Sequence, residues 1–230
     1  MVDVAANYRK VIDRISEAAL KAGRNPREIK LLAAAKSQSV ELVQAAIAAG
    51  VRLIGENYVQ EAESKRQVIS DTVEWHMIGH LQRNKVKAAL NTFDLIQSLD
   101  SVALALELDK EGRRNGKTVR TLIEVNLGDE QSKSGIGQDK VLELVKRVSE
   151  LSHLRVEGLM AVPPFKENPE EIRPYFCALK ELQMELQCLK IPNGSLNELS
   201  IGMTHDYPVA IEEGATIVRI GTALFGPRKA

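Results

Sequence analysis

Aromatic residues are scarce in this 230-residue chain, at 4% with a single tryptophan, so its core must be built from Ala, Val, Leu and Ile. Cysteine is scarcer still: Cys177 and Cys188 lie eleven residues apart in one leucine-rich stretch. On a helix that spacing separates them along the axis, which excludes a bridge between them, and they read as buried thiols of a reducing compartment. Net charge is absent, with 31 Lys+Arg against 31 Asp+Glu. Lacking a net field, the chain has neither nucleic acid nor an anionic membrane as a default partner. No run approaches 18 apolar residues, and the N-terminal MVDVAANYRKVIDRISEAALKAG mixes charge with apolar residues at helical spacing. The reading is a cytoplasmic protein without a signal peptide or membrane span. Repeats, low-complexity tracts and linkers are missing too.

What remains is an ordinary globular mix, 44% hydrophobic and 27% charged, long enough to bury most of its unfolded surface without disulfides or metal. Short apolar runs alternate with amphipathic stretches from end to end. After a leading helix within residues 1–24, strands are predicted at 29–35, 51–54, 73–78, 93–97, 118–126, 154–162, 198–201 and 216–220. Helical spacing fills the gaps, including 39–49, 102–114 and 169–189, while 163–164 and 191–196 read as loops. Eight strand–helix units joined by short connections predict an α/β protein, a single (β/α)8 TIM barrel spanning residues 1–230. A doubly wound open sheet is the competing architecture. No G-x-G-x-x-G follows the first strand, which weakens a dinucleotide-binding version of it.

In such barrels chemistry gathers at the C-terminal ends of the strands. The first strand ends in Lys36, and alternation puts it on one face with Leu32 and Ala34. Facing inward, its amine would sit above an apolar floor. Desolvation there lowers a lysine pKa and favours the free amine that forms Schiff bases. A lysine snorkelling outward is the plain structural alternative. The seventh strand runs into SIGMTHDYP, with Ser200, Gly202 and Thr204, and the eighth into RIGTALFG, with Gly221 and Thr222. Barrels often bind phosphate at these two loops, through backbone N–H groups and hydroxyls, although the glycines could be mere turn residues. Arg219 alternates with Val218 and Ile220, so it points into the barrel if they face the helices. A buried arginine needs an acceptor, whether a structural carboxylate or a ligand atom. Lysine, phosphate cradle and arginine together suggest pyridoxal 5′-phosphate (PLP).

The segments AAAKS (33–37), GENYVQE (55–61), WHMIGHLQRNK (75–85), SKSGI (132–136), GLMAVPP (158–164), LSIGMTHDY (199–207) and VRIGTALFG (218–226) carry a resemblance. Together they resemble the YggS/PROSC family of pyridoxal-phosphate homeostasis proteins, in the family's order and over nearly the whole chain. The resemblance implies a fold type III barrel like the N-terminal domain of alanine racemase. It implies that Lys36 forms the internal aldimine with PLP, that Ser200, Gly202, Gly221 and Thr222 hold the phosphate, and that Arg219 faces the pyridine nitrogen. Asn57 and Met160 are implied as neighbours of the ring, and His80 as a lining residue.

Guanidinium donates to the ring nitrogen without readily protonating it, which leaves a poorer electron sink. Racemases of this fold compensate with a second acid–base group, a tyrosine from the C-terminal domain of a partner subunit. Here only GTALFGPRKA follows the eighth strand. The resemblance therefore implies a non-catalytic PLP carrier or regulator of vitamin B6 and amino/keto-acid balance. It has no catalytic residues of its own, and a PLP-dependent amino-acid racemase is the alternative. Expected partners are PLP and PLP-dependent apo-enzymes, and the expected state is a monomer.

No metal is expected. His76 and His80 form H-x3-H, but on a strand they stand about 13 Å apart, too far to share one ion. His153 and His205 read as surface or capping residues, and Lys85–Lys87 and Arg113–Arg114 as solvated faces. Ser132–Gly135 is a candidate mouth loop after the fifth strand.

Overall fold

A computed structural model describes residues 2–69, 73–128, 134–189, 191–192 and 194–227. Its strands are β1 (Lys30–Ala34), β2 (Leu53–Glu56), β3 (Glu74–Met77), β4 (Leu95–Leu99), β5 (Val119–Asn126), β6 (Ile136–Gly137), β7 (Leu154–Ala161), β8 (Gly194–Met203) and β9 (Ile217–Ile220). All pair in parallel, in the cyclic order β1-β2-β3-β4-β5-β7-β8-β9. The ring closes where Lys30 stands beside Ile217 and Leu32 beside Arg219. The two-residue β6 adds to the outer end of β5 and lies outside the ring. The fold is thus the eight-stranded parallel barrel that the alternating pattern predicts.

Helices α1 (Val4–Lys21), α2 (Val40–Ala49), α3 (Val59–Arg66), α4 (Val86–Thr92), α5 (Val102–Arg114), α6 (Val141–Val148), α7 (Arg173–Gln187), α8 (Tyr207–Glu212) and α9 (Thr222–Phe225) complete the chain. Their starts follow from local chemistry. The Asp3 carboxylate accepts from the N–H of Ala6, and the Ser39 and Ser101 hydroxyls accept from Leu42 and Leu104. Each satisfies a backbone donor that the first helical turn cannot. In α1 the spacing of Val4, Val11, Ile15 and Ala18 makes one buried stripe, docked against α2, α8 and α9.

Strand alternation sorts the core into two layers. Leu31, Ala33, Ala35, Val218 and Ile220 face outward and pack beneath the helices together with Trp75. Leu32, Leu95, Leu122, Met160 and Ile217 face inward and fill the barrel. Each such side chain contributes about 1.5–3 kcal/mol by leaving water. Because these layers match the predicted alternation, Lys36 sits above Leu32 and Ala34, and Arg219 sits above Ile217.

Two expectations change. The seventh barrel strand begins at Gly194, inside the stretch read as a loop, not at 198. Its register slips between Val156↔Gly194 and Gly158↔Glu198, and Leu196 adopts a positive φ of 48°. The bulge absorbs extra residues and breaks the alternation from which a strand is read. The cysteines are not core thiols: Cys188 is exposed just after α7, and Cys177 is half-buried, donating to Glu213 Oε2 at 3.1 Å. Leu179, Leu182 and Leu186 fill the buried face of that helix instead.

Candidate functional site

Lys36 emerges from β1 on a backbone held from both sides. The N–H of Ala35 donates to Gly55 O at 2.9 Å. Behind it lies Lys65, 4% exposed, whose Nζ donates to Ala35 O (2.7 Å), Glu56 Oε1 (2.6 Å) and Glu61 Oε1 (2.8 Å). Glu61 also accepts from the N–H of Ser37 at 2.6 Å, fixing that residue at a φ of 61° that a non-glycine seldom adopts. A buried cation that meets three acceptors in this way locks the loop on which Lys36 rides.

The next two strand ends meet at Asn57 and Gly79. A Cβ on Gly79 would lie 2.5 Å from Asn57 O, so only glycine lets the two loops approach this closely. His80 follows on the rim, its Nδ1 3.3 Å from Asp100 Oδ2.

Across the barrel, alternation along β5 turns Glu124 inward above Leu122. It is 8% exposed, and its Oε2 has no hydrogen-bond partner among the described residues. Burial pushes its carboxyl up to about 7, the Asp100 charge adds to the rise, and Arg219 opposes it.

Arg219 is 4% exposed on β9. Its Nη1 donates to Ser200 O (2.6 Å) and Ser200 Oγ (2.8 Å), and its Nη2 to Ala161 O (2.8 Å). Burial lowers the guanidinium to about 10 against the pull of Glu124 and Asp206, so it stays cationic at neutral pH. The loops after β8 and β9 are tied together where the N–H of Ala223 donates to Thr204 Oγ1 at 3.2 Å. Gly202, next to last in β8, has φ 87° and a would-be Cβ 2.6 Å from Ala210 Cβ, so the strand end lies close against α8.

These ends enclose a cavity of about 510 Å³, within the range of small-molecule sites. Of the residues that the sequence singles out, Lys36, Asn57, His80, Arg219, Gly221 and Thr222 line it. Met160, Ser200 and Gly202 do not. Met160 belongs to the barrel's interior cluster, Gly202 is buried near the end of β8, and Ser200 lies behind Arg219 with its hydroxyl engaged. Ser134 is also at the wall, while Ser132 and Lys133 of the same predicted loop lie outside the described residues.

Thr204, singled out with the loop after the seventh strand, lines the wall as well. Two polar residues of the wall, Glu124 and His205, were not anticipated there. Glu124 could have been found from its alternation with Leu122 on β5. His205, read as a surface or capping residue, stands on the rim, its Nε2–H donating to Glu167 O at 2.8 Å beside the Phe165 ring.

The wall offers an amine at the mouth, a fixed guanidinium at depth, and glycine and threonine beside them. That set suits a small anionic molecule with an electrophilic carbon and an acceptor atom on the opposite side. A Cβ on Gly221 would meet Ala34 O at an ordinary 3.5 Å, so the fold itself does not demand glycine there. The space that glycine leaves belongs to the cavity. Among the described residues no group of three His, Cys, Asp or Glu could hold a metal ion, and no helix is long and apolar enough to cross a membrane.

Comparison with known proteins matches residues 6–229 to the family model of the alanine racemase N-terminal domain. A pyridoxal phosphate homeostasis protein of Aquifex aeolicus is 47% identical over 221 residues, covering 96% of each chain. PipY of Synechococcus elongatus, solved with PLP bound, superposes with a TM-score of 0.80 at 34% identity, covering 92% of this chain and all of that one. Alanine racemase of Clostridium difficile shares the fold, with a TM-score of 0.75 at 14% identity over 98% of this chain and 58% of its own.

Proposed function

The chain belongs to the alanine racemase N-terminal domain family, among its pyridoxal phosphate homeostasis proteins, and from that membership we propose that it holds PLP in this cavity for B6 homeostasis. The observation that carries the reading is Lys36 and Arg219 lining one cavity from adjacent strands, with Gly221 opening space between fold and ligand. When bound, PLP supplies an electrophilic aldehyde carbon and an aromatic ring able to withdraw electrons.

The chain's own residues divide the work. Lys36 would anchor the aldehyde carbon covalently through its amine, as a Schiff base. The loops at Thr204 and Gly221–Thr222 would hold the phosphate, with Ser200 and Gly202 supporting them from beneath. Asn57 and His80 would flank the ring, with Met160 packed beneath the cavity in the barrel interior. Arg219, committed to Ser200 and Ala161 on its inner side, would donate to the ring nitrogen from its remaining N–H groups. A guanidinium that stays protonated gives the ring a hydrogen bond but no proton, so the ring withdraws electrons weakly. This supports holding and releasing PLP, with little or no turnover, by a single barrel domain spanning residues 1–230.

The same reading makes the chain a cytoplasmic monomer whose macromolecular partners are PLP-dependent apo-enzymes. One observation favours a second reading, a weak amino-acid racemase: Glu124 can carry a proton inside the cavity at neutral pH. Exchange of a substrate's α-hydrogen with deuterated solvent at catalytic rates would establish it.

The direct test incubates the protein with PLP, reduces with borohydride and maps the modified peptide. The expected label is on Lys36, together with a visible absorption band that Lys36→Ala lacks. Retention of that band by Lys36→Ala, with label spread over surface lysines, would overturn the assignment.

A further inference from the structure

A line of polar side chains crosses the barrel's apolar interior from its lower mouth to Arg219. Arg219 Nη1 donates to Ser200 Oγ at 2.8 Å. The Ser200 hydroxyl donates to Gln97 Oε1 at 2.6 Å, joining β8 to β4 across the barrel. Gln97 Nε2 lies 2.8 Å from His76 Nδ1, and His76 Nε2 lies 3.4 Å from Glu74 Oε2 on the same strand, β3. Arg219 Nη1 and Nη2 reach the Ser200 and Ala161 carbonyls as well. His76, Gln97 and Ser200 are each 2% exposed or less.

The two ends force one direction on the line. Guanidinium can only donate, so Ser200 Oγ accepts from it and turns its own hydrogen to Gln97. At the other end Glu74 is an ionised acceptor. The hydrogen bond from His76 and the Arg120 guanidinium, 3.1 Å from Glu74 Oε2, hold its carboxyl down to about 2. An acceptor there requires Nε2–H on His76, which leaves Nδ1 bare to accept the Gln97 amide. Every donor therefore points from Arg219 toward Glu74.

We propose that Gln97 and His76 are positioning residues, a one-way relay that holds Ser200, and through it Arg219, in the orientation the cofactor ring needs. The proposal rests on the PLP reading of the cavity. Gln97 touches no wall of that cavity and acts only through Ser200. Without its acceptor, Ser200 could turn its hydrogen toward Arg219, and the guanidinium would lose one of three fixed contacts. The energetic weight is that of a buried hydrogen bond whose loss leaves a partner unsatisfied.

Gln97→Met removes both polar functions at nearly constant volume, and Gln97→Glu, protonated at this fully buried position, keeps an acceptor for Ser200 and an O–H donor for His76 Nδ1. Gln97→Met should weaken PLP binding about five- to tenfold, the loss of one buried hydrogen bond, and shift the visible band of the bound cofactor. Gln97→Glu should bind within about twofold of the wild type, and Gln97→Met should add less than about twofold in a Ser200→Ala background. Wild-type affinity and spectrum in Gln97→Met, or equal losses in Gln97→Met and Gln97→Glu, would overturn the relay. A second readout needs no cofactor: ¹⁵N spectra of the unliganded wild type should show the His76 tautomer with its proton on Nε2. A proton on Nδ1 would refute the direction of the line. Failure of the PLP reading shows separately, as a wild-type protein that takes up no PLP whatever its His76 tautomer.

Discussion

Replacing Glu124 by Gln should change how stability depends on pH. The carboxyl titrates near 7 in the folded chain, raised by burial from an ordinary 4.5. Between those values the folded protein keeps a proton that the unfolded chain has released, so stability falls as pH rises through the window. The difference of about 2.5 units, at 1.36 kcal/mol per unit, amounts to about 3 kcal/mol. With only 8% of the residue exposed, solvent screens little of it. Gln has the same shape and no titration, and every other acid is common to both proteins. Urea unfolding of the unliganded proteins from pH 4.5 to 7.5 isolates the effect. The stability of the wild type minus that of Glu124→Gln should decline by about 3 kcal/mol across the range and then level off. Parallel curves would show that Glu124 is ionised in the fold, and would remove the proton-bearing group from the cavity.

Lys65→Met should cost about 3–5 kcal/mol in urea unfolding, because it leaves the Glu56 carboxylate buried without its cation. A loss below about 1 kcal/mol would mean that the loop under Lys36 is held by something else. Gly221→Ala should leave the unliganded protein within about 0.5 kcal/mol of the wild type, since the new methyl meets Ala34 at an ordinary distance. Its affinity for PLP should nevertheless fall about tenfold by overfilling the cavity, as read by absorption titration. Unchanged affinity would move the phosphate away from this turn.

Much of the barrel was legible because parallel strands under helices write their sidedness into alternation. Lys36 and Arg219 could be assigned inward from Leu32, Ala34, Val218 and Ile220 alone. The first half of β8 was not legible, since its bulge lets several residues on one strand face fewer on the next. The side that Glu124 faces was legible from its alternation with Leu122, but its burial without a partner was not, since that depends on the opposite wall of the closed barrel. The relay was beyond reach because Gln97 and Ser200, 103 positions apart, meet only through the curvature of the closed barrel. Ser200 was assigned to the phosphate from its neighbouring glycines, and the sequence contains nothing that tells a hydroxyl facing the cavity from one facing the interior.

The ring closes between β1 and β9, the first and last of the described strands in chain order. Asn7 on α1 reaches Leu224 O, and Arg24 reaches Ile211 O. During synthesis, then, the earliest strand and helix wait with open edges until some 190 further residues have left the ribosome. Lys36 and Arg219 come from those same two strands. Both residues line the cavity, so that wall is completed only in the step that seals the barrel.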